Sequence, residues 1–180
     1  MASGSAYPLT FQKLTAMKTR LLALNHVYIF LMASIYIGLF TSLHLFWFPS
    51  FASLNVANYY DQIIPQTTRA TQFFIITIPI MYVAMAIMTW SEWRTKFRWV
   101  PIACLVGISI PVYIQQGLIE RVNDALKSRV TDPAQLSELL QRWMMLNDVR
   151  WVILAGVWAV MMYYFIAKGN LRSVIAPVGK

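Results

Sequence analysis

Residues 21–48 read LLALNHVYIFLMASIYIGLFTSLHLFWF, 28 residues without a single Lys, Arg, Asp or Glu. About 20 consecutive apolar residues suffice to carry an α-helix across a bilayer, so this stretch spans a membrane with length to spare. It also holds both histidines of the chain, His26 and His44. At about 100° per residue they share one helix face, and at 1.5 Å per residue they stand roughly 27 Å apart. Histidine chemistry therefore has one side chain for each end of the span.

Outward from this stretch, the whole composition agrees with a polytopic membrane protein. Hydrophobic residues make up 58% of the 180-residue chain and charged residues only 12%, which is too apolar to keep the surface of an ordinary globular domain wet. Further apolar runs cover residues 70–90, 99–118 and 149–167. The reading is all-α: a single membrane domain, a four-transmembrane-helix bundle with a polar, partly helical extramembrane cap at 119–148 between spans three and four. Pro49 closes the first span, residues 50–68 form an interfacial segment, and Pro79 kinks the second span. The motif Thr131-Asp132-Pro133-Ala134-Gln135 starts a helix, with Asp132 as N-cap and Pro133 at N1. From there no breaker occurs until Gly156, so one helix begins in water and continues as span four, before Lys168-Gly169-Asn170 stops it.

The formal net charge of +8 records topology rather than nucleic-acid binding. Three Lys or Arg lie in each of the N-terminal tail, the 91–98 loop and the C-terminal tail, against Arg69 alone in the first outer connection. The positive-inside rule puts both termini in the cytoplasm, and a bacterial inner membrane fits that reading. Trp90, Trp93 and Trp99 around the basic loop mark a headgroup boundary. The lone Cys104 is a buried small hydrophobe, and the clustered methionines are packing material. Ser34, Gly38 and Ser42 form a small-residue face suited to close helix contact.

In this topology His44, Gln115 at the end of span three, and Asn147 and Arg150 at the start of span four all lie at the outer level. Trp143, Asn147 and Arg150 are spaced i, i+4, i+7 and share one face. A polar outer-leaflet pocket follows, with Arg150 its strongest element, because an arginine at the edge of a span pairs with a carboxylate, a carbonyl or a ligand oxygen. The blander alternatives are a snorkelling Arg150 and a backbone-capping Asn147. No metal motif, phosphate loop or catalytic triad order is present. A cofactor is not evident; haem or a metal stays open only through a homodimer or a His/Met pair.

Three motifs carry a family resemblance. They are Gly38-Leu39-Phe40-Thr41-Ser42-Leu43-His44-Leu45-Phe46-Trp47-Phe48-Pro49, Arg121-Val122-Asn123-Asp124-Ala125-Leu126, and Trp143-Met144-Met145-Leu146-Asn147-Asp148-Val149-Arg150. Over most of residues 24–165 the chain resembles the four-span family that includes the fungal anthrone oxygenases. The resemblance implies one polar site built from the Asn-Asp and Trp/Asn/Arg motifs, oxidation of an anthrone to an anthraquinone, and no obvious cofactor. It departs from the pattern in His44 and in the aromatic 50–68 connection. The candidate roles are then His44 or Asp124 as base, Arg150 with Asn147 holding a phenolate or enolate, and Asn123, Trp143, Asn147 and Gln115 contacting a planar hydrophobic or phenolic ligand. Two other classes compete: a non-catalytic accessory subunit of a larger membrane complex, and a haem- or metal-binding electron carrier. The expected partners are the lipid bilayer, a hydrophobic small molecule, and other membrane subunits or a second copy of the chain.

Overall fold

The computed structural model describes residues 9–168. The expected helix stop at Gly169-Asn170 and the basic C-terminal tail lie outside the described residues. The first helical rod comprises α1 (Leu9–Ser42), a π turn (Leu43–Trp47), one further α turn (Phe48–Ser50) and a 3-10 turn (Phe51–Ser53). The chain then enters α2 (Tyr59–Glu92), α3 (Trp99–Ile114), a second π turn (Gln115–Ile119), α4 (Glu120–Lys127) and α5 (Pro133–Lys168). Four of these helical stretches are long and apolar enough to cross a membrane, and the protein is an integral membrane protein with the four-helix architecture read from the sequence.

The bundle is turned inside out relative to a water-soluble one. Leu24, Leu31, Ile76, Val83, Val106 and Val152 all face outward, which only a lipid environment makes favourable. In cross-section α5 packs on α3 and α1, α1 on α2, and α2 on α3, the last being the least extensive contact of the ring. Apart from Leu146, which widens the buried face beside the cap, the buried residues of α5, Leu136, Leu140, Trp143, Asn147, Arg150, Leu154, Val157, Met161 and Tyr164, alternate in steps of four and three. That is the seven-residue repeat of left-handed helix packing, and it keeps one face on the bundle axis for the full length of the helix. Two neighbouring positions of this seam, Asn147 and Arg150, are polar.

Two cores are stacked along the axis. The membrane core joins Tyr36, Met85, Cys104, Ile108, Val157 and Met161; Met81, Met85, Met88 and Met161 are fully buried, as expected of packing material, and Cys104 is buried. The second core, at the end away from the termini, joins Phe51, Tyr59, Ile63, Leu126, Leu136 and Trp143. This is the cap, more structured than a polar segment alone would be. Its centre is the Tyr59 hydroxyl, which donates to Leu126 O at 3.0 Å and accepts from Val130 N at 2.6 Å. That bridge supports the chain where Arg129 takes a positive φ of 59°.

Several boundaries differ from expectation. Span two is expected at 70–90, but α2 begins at Tyr59, because Tyr59 and Ile63 bury themselves in the cap and hold the helix through Pro65. Pro49 does not end the first rod, whose helical backbone runs on to Leu54, where ψ becomes 140°. The helix start at 131–135 is as expected: Asp132 Oδ1 accepts from Ala134 N at 3.1 Å, and α5 runs unbroken from the cap through the bilayer. Within the chain Gly38 makes no close contact, since a Cβ there would meet nothing within 4 Å. The tight approach is at Gly107, where an added Cβ would stand 2.4 Å from Val157 Cγ2, so α3 and α5 meet there because Gly107 has no side chain.

Candidate functional site

Arg150 sits in the middle of α5, 6% exposed. At 1.5 Å per residue it is about 27 Å from Lys168, which puts it just inside the far edge of a hydrocarbon layer about 30 Å thick. Its Nη1 donates to Gln115 Oε1 at 2.7 Å and to Asn147 Oδ1 at 2.9 Å, and the guanidinium lies 4.7 Å from the centre of the Phe40 ring. Its Nε is buried without a hydrogen-bond partner. Among the described residues no carboxylate lies within ion-pair distance of it. A buried cation held only by neutral groups is costly, and its unused donors suit an oxyanion or a carbonyl.

The remaining polar groups form a chain leading to Arg150. Asn147 Nδ2 donates to the Trp143 carbonyl at 2.8 Å, and Trp143 Nε1 donates to Asn123 Oδ1 at 3.1 Å. Asn123 Nδ2 reaches Glu120 Oε2 at 3.4 Å. Asn123, Trp143, Asn147, Gln115 and Arg150, separated by up to 35 positions in sequence, thus form one network. Two adjoining cavities meet at it. The upper, about 490 Å³, lies under the cap and is lined by Asn123, Trp143, Asn147, Trp47 and Arg69; among the described residues no carboxylate lines it. The lower, about 530 Å³, descends into the membrane core between Phe40, Phe74, Ile78, Ile108 and Val112, with Glu120 at its upper rim. Phe40, Thr71, Phe74, Gln115 and Arg150 line both.

Both π turns fall at this level. The one at Gln115–Ile119 carries the amide that holds Arg150, and the one at Leu43–Trp47 carries His44. Such turns break the regular ladder and redirect side chains, and they recur at functional sites.

Two candidate residues stand elsewhere. His44 does not line either cavity: its Nδ1 is 2.8 Å from Asp148 Oδ1, and its ring stacks on Trp151 at 4.7 Å on the α1–α5 flank. Asp148 was not singled out by sequence, since nothing local links positions 104 residues apart. Asp124 points to solvent and pairs with Lys127 at 3.1 Å, because on the amphipathic α4 the buried face is Val122, Asn123 and Leu126. The carboxylate that reaches the cleft is Glu120, one turn earlier.

A second buried polar cluster occupies the opposite end of the bundle. Glu92, 2% exposed, pairs with Lys168, accepts from Thr95 Oγ1 at 2.7 Å and from the Tyr164 hydroxyl at 2.9 Å. The same hydroxyl lies 3.3 Å from His26 Nδ1, and Ser91 Oγ lies 3.5 Å from His26 Nε2. This cluster ties the middle of α1 to the C-terminal ends of α2 and α5. Among the described residues no group of three or more His, Cys, Asp or Glu side chains is placed to hold a metal ion.

No family model, curated protein or solved structure matches the chain.

Proposed function

We propose that this membrane protein binds, at the level of Arg150, a planar hydrophobic or phenolic molecule whose polar oxygen faces the guanidinium. The observation that carries the reading is Arg150 itself: buried on the helix seam between two cavities, without a carboxylate partner among the described residues and with Nε unpaired. A neutral or ionised phenol oxygen would supply the missing acceptor, while Trp143, Phe40 and Phe74 offer aromatic walls. Charge distribution supports cytoplasmic termini and a site at the outer-leaflet level.

A second reading, an oxygenase of the anthrone oxygenase type, is favoured by one fact: the motif residues Asn123, Trp143, Asn147 and Arg150 share a single hydrogen-bonded network. In that reading Arg150 stabilises the developing phenolate, the first proton leaves toward Glu120 rather than His44 or Asp124, and molecular oxygen is the oxidant, one of its atoms becoming the new carbonyl oxygen and the other leaving as water with the two hydrogens lost from carbon.

Purification in mild detergent followed by solvent extraction and mass spectrometry tests the binding reading. A phenolic or quinone-like molecule retained by the wild type and lost in Arg150→Gln is expected, and an anthrone oxidation assay then separates carrier from enzyme. A protein that yields no such molecule, binds none when offered, and always arrives with the same larger partners overturns both readings in favour of an accessory subunit.

A further inference from the structure

The middle of α2 has an unusual relation to the rest of the bundle. Tyr59 and Ile63 anchor its first turns in the cap, and Met81, Ala84, Met85, Met88 and Glu92 anchor its far half. Between Ile63 and Met81 no residue of α2 is buried, a stretch of roughly 25 Å at 1.5 Å per residue. Pro65 and Pro79 flank it, each removing an amide from the ladder. Both cavities lie against this stretch. The upper one has the exposed Gln66, Arg69 and Ala70 at its α1–α2 side, and the lower one has the exposed Ile75 and Pro79 at its α2–α3 side. The helix arches over a passage whose lower mouth is the loosest seam of the ring.

Polarity along that passage is graded. Arg69, Arg150, Asn147 and Gln115 are at its upper part; below Arg150 the walls are Phe74, Ile78, Ile108, Val112 and Leu154 with the Tyr36 hydroxyl bonded to Thr77, and among the described residues that line it no charged group lies deeper than Arg150. From Thr71 to Pro79 the lower cavity runs about 12 Å along α2. A compact ring system seated at Arg150 would leave that depth unfilled. A bilayer amphiphile has the same gradient, with its head at the boundary and its chain toward the midplane.

From this geometry we infer that the ligand is a tailed amphiphile: a ring head with an acidic or phenolic oxygen at Arg150, and an aliphatic chain that lies in the lower cavity and passes out to the bilayer between α2 and α3. The inference rests on the binding reading above and deepens it. Entry is sideways, from the leaflet in which the molecule already resides, so the chain never crosses water. The Phe40–Arg150 contact is the junction between head and chain, because both groups line both cavities.

The test uses the full chain in lipid nanodiscs and two fluorescent probes, 2-naphthol and a dodecyl-substituted 2-naphthol. Both are expected to bind saturably, to compete, and to be weakened by Arg150→Gln. Val112→Trp, or Ile78→Phe on the facing wall, fills the lower cavity and is expected to weaken the dodecyl probe by about tenfold or more while sparing 2-naphthol. Unchanged 2-naphthol binding also certifies that each variant is folded. If both probes bind the wild type and the wall variants change neither, or both alike, the tail inference is overturned while the head site stands. If neither probe binds the wild type, the binding reading itself fails and the inference falls with it.

Discussion

Replacing Arg150 by methionine, which has similar reach and no charge, separates a ligand-binding arginine from a structural one. The wild-type side chain makes two hydrogen bonds, to Gln115 and Asn147, and a hydrogen bond from a charged donor is worth about 1.5–3 kcal/mol net. Against this stands the burial of an uncompensated cation, several kcal/mol in real proteins after relaxation, here with Nε left unpaired. Gln115 and Asn147 both line the upper cavity, so their carbonyl oxygens can turn to water there once the arginine is gone. The expected result is a neutral to stabilising change of a few kcal/mol at most, because the desolvation cost of the cation, several kcal/mol, is relieved while only two hydrogen bonds are lost. Arg150→Ala instead opens a void and is expected to cost about 2–5 kcal/mol. The assay is thermal unfolding in mild detergent after exchange to remove bound molecules, followed by tryptophan fluorescence. With a ligand present the order reverses, because binding to the native wild type stabilises it by mass action. An Arg150→Met protein that melts as low as Arg150→Ala would refute the reasoning and make the arginine a strut of the bundle.

Other consequences are simpler to state. Glu92→Ala leaves Tyr164 and Thr95 without their acceptor, while the Lys168 ammonium left behind is 43% exposed and stays hydrated, so thermal melting should reveal a loss of about 1–3 kcal/mol from the orphaned donors; Glu92→Gln should recover part of it through the Tyr164 and Thr95 bonds. Tyr59→Phe removes the bridge between Leu126 O and Val130 N and should cost about 1–3 kcal/mol, with faster amide exchange confined to residues around 126–130. Gly107→Ala drives a methyl group into Val157 and should destabilise by about 1–3 kcal/mol; in a double-mutant cycle Val157→Ala should restore part of that loss, and strict additivity would rule out the contact as the cause. His44→Ala, which breaks the Asp148 pair on the α1–α5 flank, should leave probe binding at Arg150 unchanged; a large loss of affinity would place His44 in the site.

The spans were readable because hydropathy acts through composition over about 20 residues, and helix phase fixed the grouping of Trp143, Asn147 and Arg150, which needs no tertiary knowledge. Gln115 was placed only by level; its bond to Arg150 depends on a π turn that no local signal announces. The pairing of His44 with Asp148 was out of reach because it depends on how two helices dock, whereas the outward turn of Asp124 was legible as a charge on a solvated segment opposite Val122 and Leu126. Tyr59 shows the same limit, since the cap core, not propensity, starts α2 there. Glu92 was missed although a signal existed. Of the seven acidic residues it alone lies in the sequence half of the bundle that bears the termini, amid basic groups, where an isolated carboxylate is expected to be paired.

The lining of the cleft around Arg150 draws on all four spans: Phe40 from the first, Thr71 and Phe74 from the second, Gln115 from the third and Arg150 from the last. During synthesis, therefore, the cleft has no existence until the final helix is inserted. Arg150 enters the bilayer as the most unfavourable residue of its segment, with an insertion cost on the order of 2.5–3.5 kcal/mol if fully at the helix centre, and it finds Gln115 and Phe40 only when α5 docks. Truncating the nascent chain before that point leaves three apolar helices and an incomplete cap. The site is a late product of biogenesis, and its formation reports that the whole bundle has assembled.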